Sequence, residues 1–172
     1  MQRLFFALWP DHGLGNRLNR LAGELPERGG RQHHPSDLHM TLVFLGPVAP
    51  ERLPCIEQVG DQIRLDPFTL YLDQVDYWQR PRILCLGASD PPAPLISLVQ
   101  SLQSGLVGCG FEPEKRLYKP HVTLVRKAKR QHAFGLDSPI EWPVNEFVLA
   151  GSCSGENPLR YQIIKHWSLQ NR

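Results

Sequence analysis

The chain has 172 residues, of which 41% are hydrophobic and 21% charged, and its net charge is +2. That length suits one compact domain or two half-sized lobes sharing an interface, and the composition excludes general disorder. So small a net charge excludes bulk attraction to nucleic acid as a basis for function.

In chain order, residues 3–8 form a first apolar run ended by Pro10-Asp11. The run is too short for a signal-peptide core or a membrane span, so it reads as a strand, with Asp11 as a helix N-cap. Leu14, Leu18, Leu21 and Leu25 recur at helical spacing, and Gly29-Gly30 closes that helix. A second strand covers residues 38–45 and stops at Gly46-Pro47. Leu53, Ile56, Val59 and Ile63 predict a second helix, and residues 68–78 a strand or strand pair. Residues 82–87 read as a further strand. Prolines 91, 92 and 94 then open a helix carrying Leu95, Leu98, Val99, Leu102 and Leu106. Another strand spans residues 121–125, and the tail adds strands at 146–150 and 161–169. Residues 127–143 have weak periodicity and mixed charge, which reads as a surface loop.

The strand–helix–strand order occurs twice, and Arg3 to His39 matches Arg82 to His121 in length. Two diverged copies of one unit account for this, with repeat units of about 1–80 and 81–172 within a single domain of two intertwined lobes. The expected fold class is α+β: a bilobal, pseudo-twofold duplication with an active site in the cleft. Each lobe is a small, mostly antiparallel sheet with helices on its outer face.

Each copy carries a His-x-Thr triplet, His39-Met40-Thr41 and His121-Val122-Thr123. Threonine occurs only at 41, 69 and 123, and there are seven histidines. Chance would give roughly 0.12 such triplets, and two with a probability of roughly 0.007. In a strand, residues i and i+2 share a face, so each histidine faces the same way as its threonine. Across a pseudo-twofold axis, two imidazoles and two hydroxyls would meet around a phosphate. In-line displacement at phosphorus needs a base at the entering oxygen and an acid at the leaving one, and imidazole serves both roles.

Around the triplets stand Thr41-Leu-Val-Phe-Leu-Gly46 and Lys119-Pro-His-Val-Thr-Leu-Val-Arg126. With the opening Arg3-Leu-Phe-Phe-Ala-Leu8 and the closing Tyr161 and Trp167-Ser168-Leu169, these resemble the two-histidine phosphoesterase superfamily. Within it the chain looks most like the bacterial RNA 2',3'-cyclic phosphodiesterases, also called 2'-5' RNA ligases (LigT-like). The resemblance spans essentially the whole chain. It implies a bilobal fold and hydrolysis of 2',3'-cyclic phosphate RNA ends to a 2'-phosphate. It also implies ATP-independent 2'-5' ligation as the reverse reaction. In the same terms, His39 is the proton donor, His121 the proton acceptor, and Thr41 and Thr123 contact phosphate.

Phe44 and Arg126 each lie five residues beyond a motif histidine, which suggests base stacking by one and phosphate or base contact by the other. Strict alternation places a +5 residue on the wrong face, so both need a bulge or a strand end. For Phe44 a core position is an equal reading. The basic residues between 115 and 130 fit an RNA-backbone guide and a solvated loop equally. His33 and His34 read as exposed loop residues, and Trp9, Trp78, Trp142 and Trp167 as core or strand-cap positions. Arg3 and Arg82 read as lobe-edge partners of acidic residues. The scattered Cys55, Cys85, Cys109 and Cys153 read as reduced, buried thiols of a cytoplasmic protein.

No cofactor, metal or membrane is expected, and a monomer is the default. Other readings are the same chemistry on ADP-ribose cyclic phosphate or 2'-5' oligoadenylate, a metal-dependent phosphohydrolase, and a non-catalytic RNA-binding module. The metal reading needs a third ligand that neither motif supplies.

Overall fold

The structure, a computed structural model, describes residues 1–26, 29–153 and 159–170. Among them β1 is Gln2–Leu8, α1 His12–Glu24, β2 Arg31–Gln32, β3 Met40–Val48, α2 Leu53–Asp61 and β4 Phe68–Trp78. The second half supplies β5 Ile83–Gly87, α3 Ala93–Val107, β6 His121–Arg126, β7 Phe134–Val144, β8 Glu146–Ser152 and β9 Tyr161–Ser168. The strands run in the order β7-β4-β5-β6-β3-β1-β8-β9, with β2 added on β6. All of the strand pairs are antiparallel.

The path is narrow at its centre. β3 and β6 pair through one position, Met40 opposite Val122, whereas the outer neighbours pair over four to seven positions. Two four-stranded lobes therefore meet at the two motif strands, in line with the expected bilobal α+β class. The chain crosses between them. β4 joins the lobe of β5, β6 and β7, while β8 and β9 return to complete the lobe of β1 and β3.

Local chemistry accounts for the helices. Asp11 caps α1 by accepting from the Leu14 amide at 2.8 Å, and Pro92 precedes α3. The helices bury Leu18 and Ala22 (α1), Ile56 and Val59 (α2), and Leu95, Leu98, Leu102 and Leu106 (α3) against one face of the sheet. β1 is buried on both faces. Leu4, Phe6 and Leu8 enter the main core, whereas Phe5 and Ala7 join Val148 and Ala150 in a smaller cluster on the opposite face.

Three expectations change. Residues 127–143 are not a loop throughout, because β7 runs from Phe134 along β4 and buries Ile140, Trp142 and Val144. Pro139, Pro143 and the exposed first half of this strand mask its alternation. The strand after the first motif continues past Gly46-Pro47 to Val48, because Gly46 takes a positive φ of 71° and pairing with β1 resumes beyond it. Cys55 and Cys109, read as thiols, form a disulfide joining α2 to the turn after α3. Cys85 is a buried free thiol and Cys153 is partly buried.

The packing of α2 on β9 is close enough to test. Trp167 stacks on Phe147 at 5.2 Å, and its indole N–H donates to Asp61 at 2.6 Å. A Cβ on Gly60 would collide with this indole. Replacing Gly60 with Ala should cost about 2 kcal/mol net, read as a fall of roughly 4–8 °C in Tm. An unchanged Tm would show that Trp167 can move aside freely.

Candidate active site

Met40 and Val122 lie in the core with no exposure, and Leu42 and Leu124 follow them inward. Alternation therefore turns His39 and Thr41, and His121 and Thr123, to the other face. There all four side chains line one cavity of about 220 Å³, together with Trp78 and Arg126. Because the strands run antiparallel from the Met40–Val122 pair, each histidine is carried toward the other strand's threonine.

The two imidazoles are held alike. His39 Nδ1 lies 2.7 Å from the Asp37 carbonyl, and His121 Nδ1 lies 2.8 Å from the Lys119 carbonyl. A carbonyl can only accept, so each neutral ring donates from Nδ1 and keeps its lone pair on Nε2. Both rings are driven toward that neutral form. Burial, assisted by the charges of Arg126 and His121, lowers His39 to about 4, although its bond to Asp37 works against this. Burial also lowers His121, with the charges of Lys119 and Arg126 adding to the effect.

Aromatic rings flank each imidazole. Trp9 stacks on His39 at 5.0 Å and 11°, Phe5 lies at 4.8 Å, and Tyr161 meets it edge-on at 5.0 Å. Trp78 lies 4.3 Å from His121. Trp142 and Trp167 are core residues as expected, and Trp9 and Trp78 do stand at strand ends, but there Trp9 backs His39 and Trp78 lines the cavity.

A bulge in each motif strand resolves the parity of Phe44 and Arg126. Ala7 faces Thr41 and Phe5 faces Phe44, so β3 fits three steps against two in β1. Likewise Cys85 faces Thr123 while Leu84 faces Val125 and Ile83 faces Arg126, so β6 gains one residue on β5. Each extra residue returns the +5 side chain to the histidine face. Phe44 is 60% exposed, which removes its core reading, and Arg3 rests over its ring at 5.7 Å. Arg3, Phe5, Phe44 and Tyr161 border a wider hollow of about 600 Å³ that shares Arg126 with the cavity. Neither edge arginine has an acidic partner among the described ion pairs, and Arg82 instead lies 3.5 Å from the Ala128 carbonyl.

His33 departs from its exposed reading. It is buried, lines the cavity, and receives a hydrogen bond from Arg126 Nε at its Nε2, 3.1 Å away. Burial and then the charges of Arg126, Arg160 and Arg31 lower it to about 4. The sequence gives no periodic signal for it, because β2 is only two residues long. His33 is held by its amide, which donates to the Leu124 carbonyl at 3.3 Å. Asp37 is also buried, and its carboxylate accepts from the backbone amides of Arg160 and Tyr161. Among the described residues, no three His, Cys, Asp or Glu side chains converge as a metal-binding set, and no helix is long and apolar enough to cross a membrane.

The chain matches the family described as LigT like Phosphoesterase over residues 8–85. It is 35% identical to the RNA 2',3'-cyclic phosphodiesterase of Escherichia coli over 98% of this chain and 97% of that protein. It is 29% identical to the RNA 2',3'-cyclic phosphodiesterase of Thermus thermophilus over 98% and 90% of the two chains. The crystal structure of E. coli LigT in apo form has a TM-score of 0.87 at 33% identity, covering 99% of this chain and 98% of that one. E. coli LigT complexed with 3'-AMP gives 0.85 at 33% identity over 98% of both chains.

Two histidines buried as neutral rings make stability depend on pH. With folded values of about 4 against an ordinary 6.5, the unfolded chain binds more protons between those limits. Their contribution to stability should be constant above pH 7 and fall as pH drops from 6.5 toward 4. Replacing His39 with Gln should flatten that fall in Tm-versus-pH scans. An unchanged slope would contradict its burial as a neutral ring.

Proposed function

The chain belongs to the LigT-like, two-histidine phosphoesterase family, and from that premise we propose that it hydrolyses the 2',3'-cyclic phosphate ends of RNA. The observation that carries this reading is the matched pair of imidazoles, each oriented through Nδ1 by a carbonyl and facing one cavity with a threonine. The enzyme's class is that of a phosphoric diester hydrolase, as its relatives' names state.

In the proposed step, water attacks phosphorus while His121 Nε2 takes its proton. The P–O3' bond breaks as protonated His39 gives its Nε2 proton to the leaving 3' oxygen, and the product carries a 2'-phosphate. Thr41 and Thr123 hydroxyls donate to the non-bridging oxygens, and Arg126 balances the charge that develops there. Phe44 stacks on the terminal base from the adjoining hollow. The cycle returns when His121 releases its proton and His39 regains one. With an RNA 5'-hydroxyl in place of water the same displacement forms a P–O5' bond as P–O3' breaks, which is ATP-independent 2'-5' ligation. All of these groups come from one chain, which supports a monomer built as one domain of two repeat units, and proton transfer between these side chains and the water and leaving oxygen requires no cofactor. Localisation in the cytoplasm rests on the substrate, since RNA ends arise inside the cell, and no longer on reduced thiols.

The donor must be protonated although burial lowers His39 to about 4 in the empty site. A bound phosphodiester anion raises it. Hydrolysis of 2',3'-cyclic AMP in excess EDTA should therefore proceed with bell-shaped pH profiles, and the alkaline limb of kcat, read with substrate bound, should lie at higher pH than that of kcat/KM, which reports the free enzyme's low His39. His39→Ala and His121→Ala, folded by circular dichroism, should each lose about 100- to 10,000-fold in kcat. Full activity in either variant, or complete inhibition by EDTA, would sink the reading.

The stacking role has its own signature. Phe44→Ala should raise KM by roughly 5- to 100-fold, the loss of one base–aromatic stack, with kcat little changed. An effect on kcat alone would place Phe44 elsewhere in the cycle.

A further inference from the structure

Beside the catalytic cavity lies a smaller hollow of about 210 Å³, bordered by Arg31, His33, His34, Asp37, Arg126 and Arg160. It shares His33, Asp37 and Arg126 with the cavity, so the two adjoin at these side chains. We propose that Arg31, Arg126 and Arg160 form a second phosphate site, which takes the phosphate on the 5' side of the terminal ribose. This inference rests on the cyclic phosphodiesterase reading and deepens it: the hollow distinguishes the end of an RNA chain from a free cyclic nucleotide.

Strand register provides the first argument. Arg31 of β2 stands directly opposite Arg126 of β6. Like charges facing each other across an antiparallel pair are destabilising, so folding alone does not select this pairing. An anion held between two guanidinium groups reverses the sign of that interaction. The third cation, Arg160, borders the same hollow, and its charge with those of Arg31 and Arg126 reaches His33.

Neutralisation inside the protein provides the second. Among the described ion pairs none involves Arg31, Arg126 or Arg160. The carboxylate lining the hollow, Asp37, is buried and turned to the backbone amides of Arg160 and Tyr161. His33, held neutral, accepts a hydrogen bond at Nε2 from Arg126 Nε, which leaves the two terminal guanidinium nitrogens out of that bond. Planar, bidentate donors of this kind match phosphate oxygens.

Substrate chemistry provides the third. An RNA end with a 2',3'-cyclic phosphate has its next phosphate one nucleoside away, on the same ribose. A cyclic mononucleotide with a free 5'-hydroxyl has none. A basic hollow adjoining the reaction cavity is where that second group would be read.

Affinity and turnover test this separately. Calorimetric titration should show wild type binding adenosine 3',5'-bisphosphate at least tenfold more tightly than adenosine 3'-monophosphate. Arg31→Ala and Arg160→Ala should each erase most of that preference. In turnover, Arg31→Ala should lower kcat/KM about tenfold for 5'-phosphorylated 2',3'-cyclic AMP and for a dinucleotide with a cyclic end. Its kcat/KM for 2',3'-cyclic AMP with a free 5'-hydroxyl should stay within twofold. The monoester and the dinucleotide distinguish a terminal 5'-phosphate from a chain phosphodiester as the group read. Tm of Arg31→Ala should be equal to or above wild type, since an opposed charge pair is removed, so loss of preference cannot be assigned to unfolding. Equal wild-type affinity for the two adenosine phosphates, or equal losses on all three substrates, would overturn the site. If wild type hydrolyses no cyclic phosphate, the catalytic reading fails while the bisphosphate preference still decides the hollow.

Discussion

Everything about the cavity depends on the one place where two sheets of four strands touch, the antiparallel contact of Met40 with Val122. These are the middle residues of the two triplets, and both are sealed in the core. Burying them is worth roughly 1.5–3 kcal/mol each. The same packing fixes which way their neighbours point. The contact is reinforced from outside the strands. The Tyr118 hydroxyl, just ahead of the second motif, donates to the Thr41 carbonyl of the first at 2.9 Å. Burial raises the Tyr118 hydroxyl above its ordinary range, so it remains a donor. A displacement of one lobe therefore disturbs all four motif side chains at once.

The surroundings of the histidines then divide the labour. Carbonyls at the Nδ1 positions set the tautomer of each neutral ring, and burial favours the neutral form. Trp9, Phe5 and Tyr161 enclose His39 more completely than Trp78 encloses His121. Two motifs that are chemically equivalent as sequence thus become unequal through packing.

Much of this was legible in the chain because the relevant signals were local. Leucine spacing, Asp11, the prolines before α3 and the repeated triplets each declare themselves within a few residues. The features that escaped depend on partners far along the chain. β7 alternates only in its second half, and its identity comes from pairing with β4. His33 is buried because β2 rests on β6, a contact whose close approach at Gly30 leaves no room for a Cβ. The bulges that bring Phe44 and Arg126 to the cleft arise from register with β1 and β5, which parity alone could demand but not locate. Cys55 and Cys109 are 54 residues apart, and only the packing of α2 beside α3 brings them together.

The crossing of the chain between lobes sets an order in time as well as in space. The first motif is made early, but its lobe is completed by β8 and β9, which are made last. The second motif's lobe needs β4 from the first half, already waiting when β5 emerges. The lobe with the second motif therefore has all its strands in sequence before the other lobe does. A chain still lacking Tyr161–Ser168 therefore presents its first histidine without the strand whose Tyr161 ring meets it edge-on.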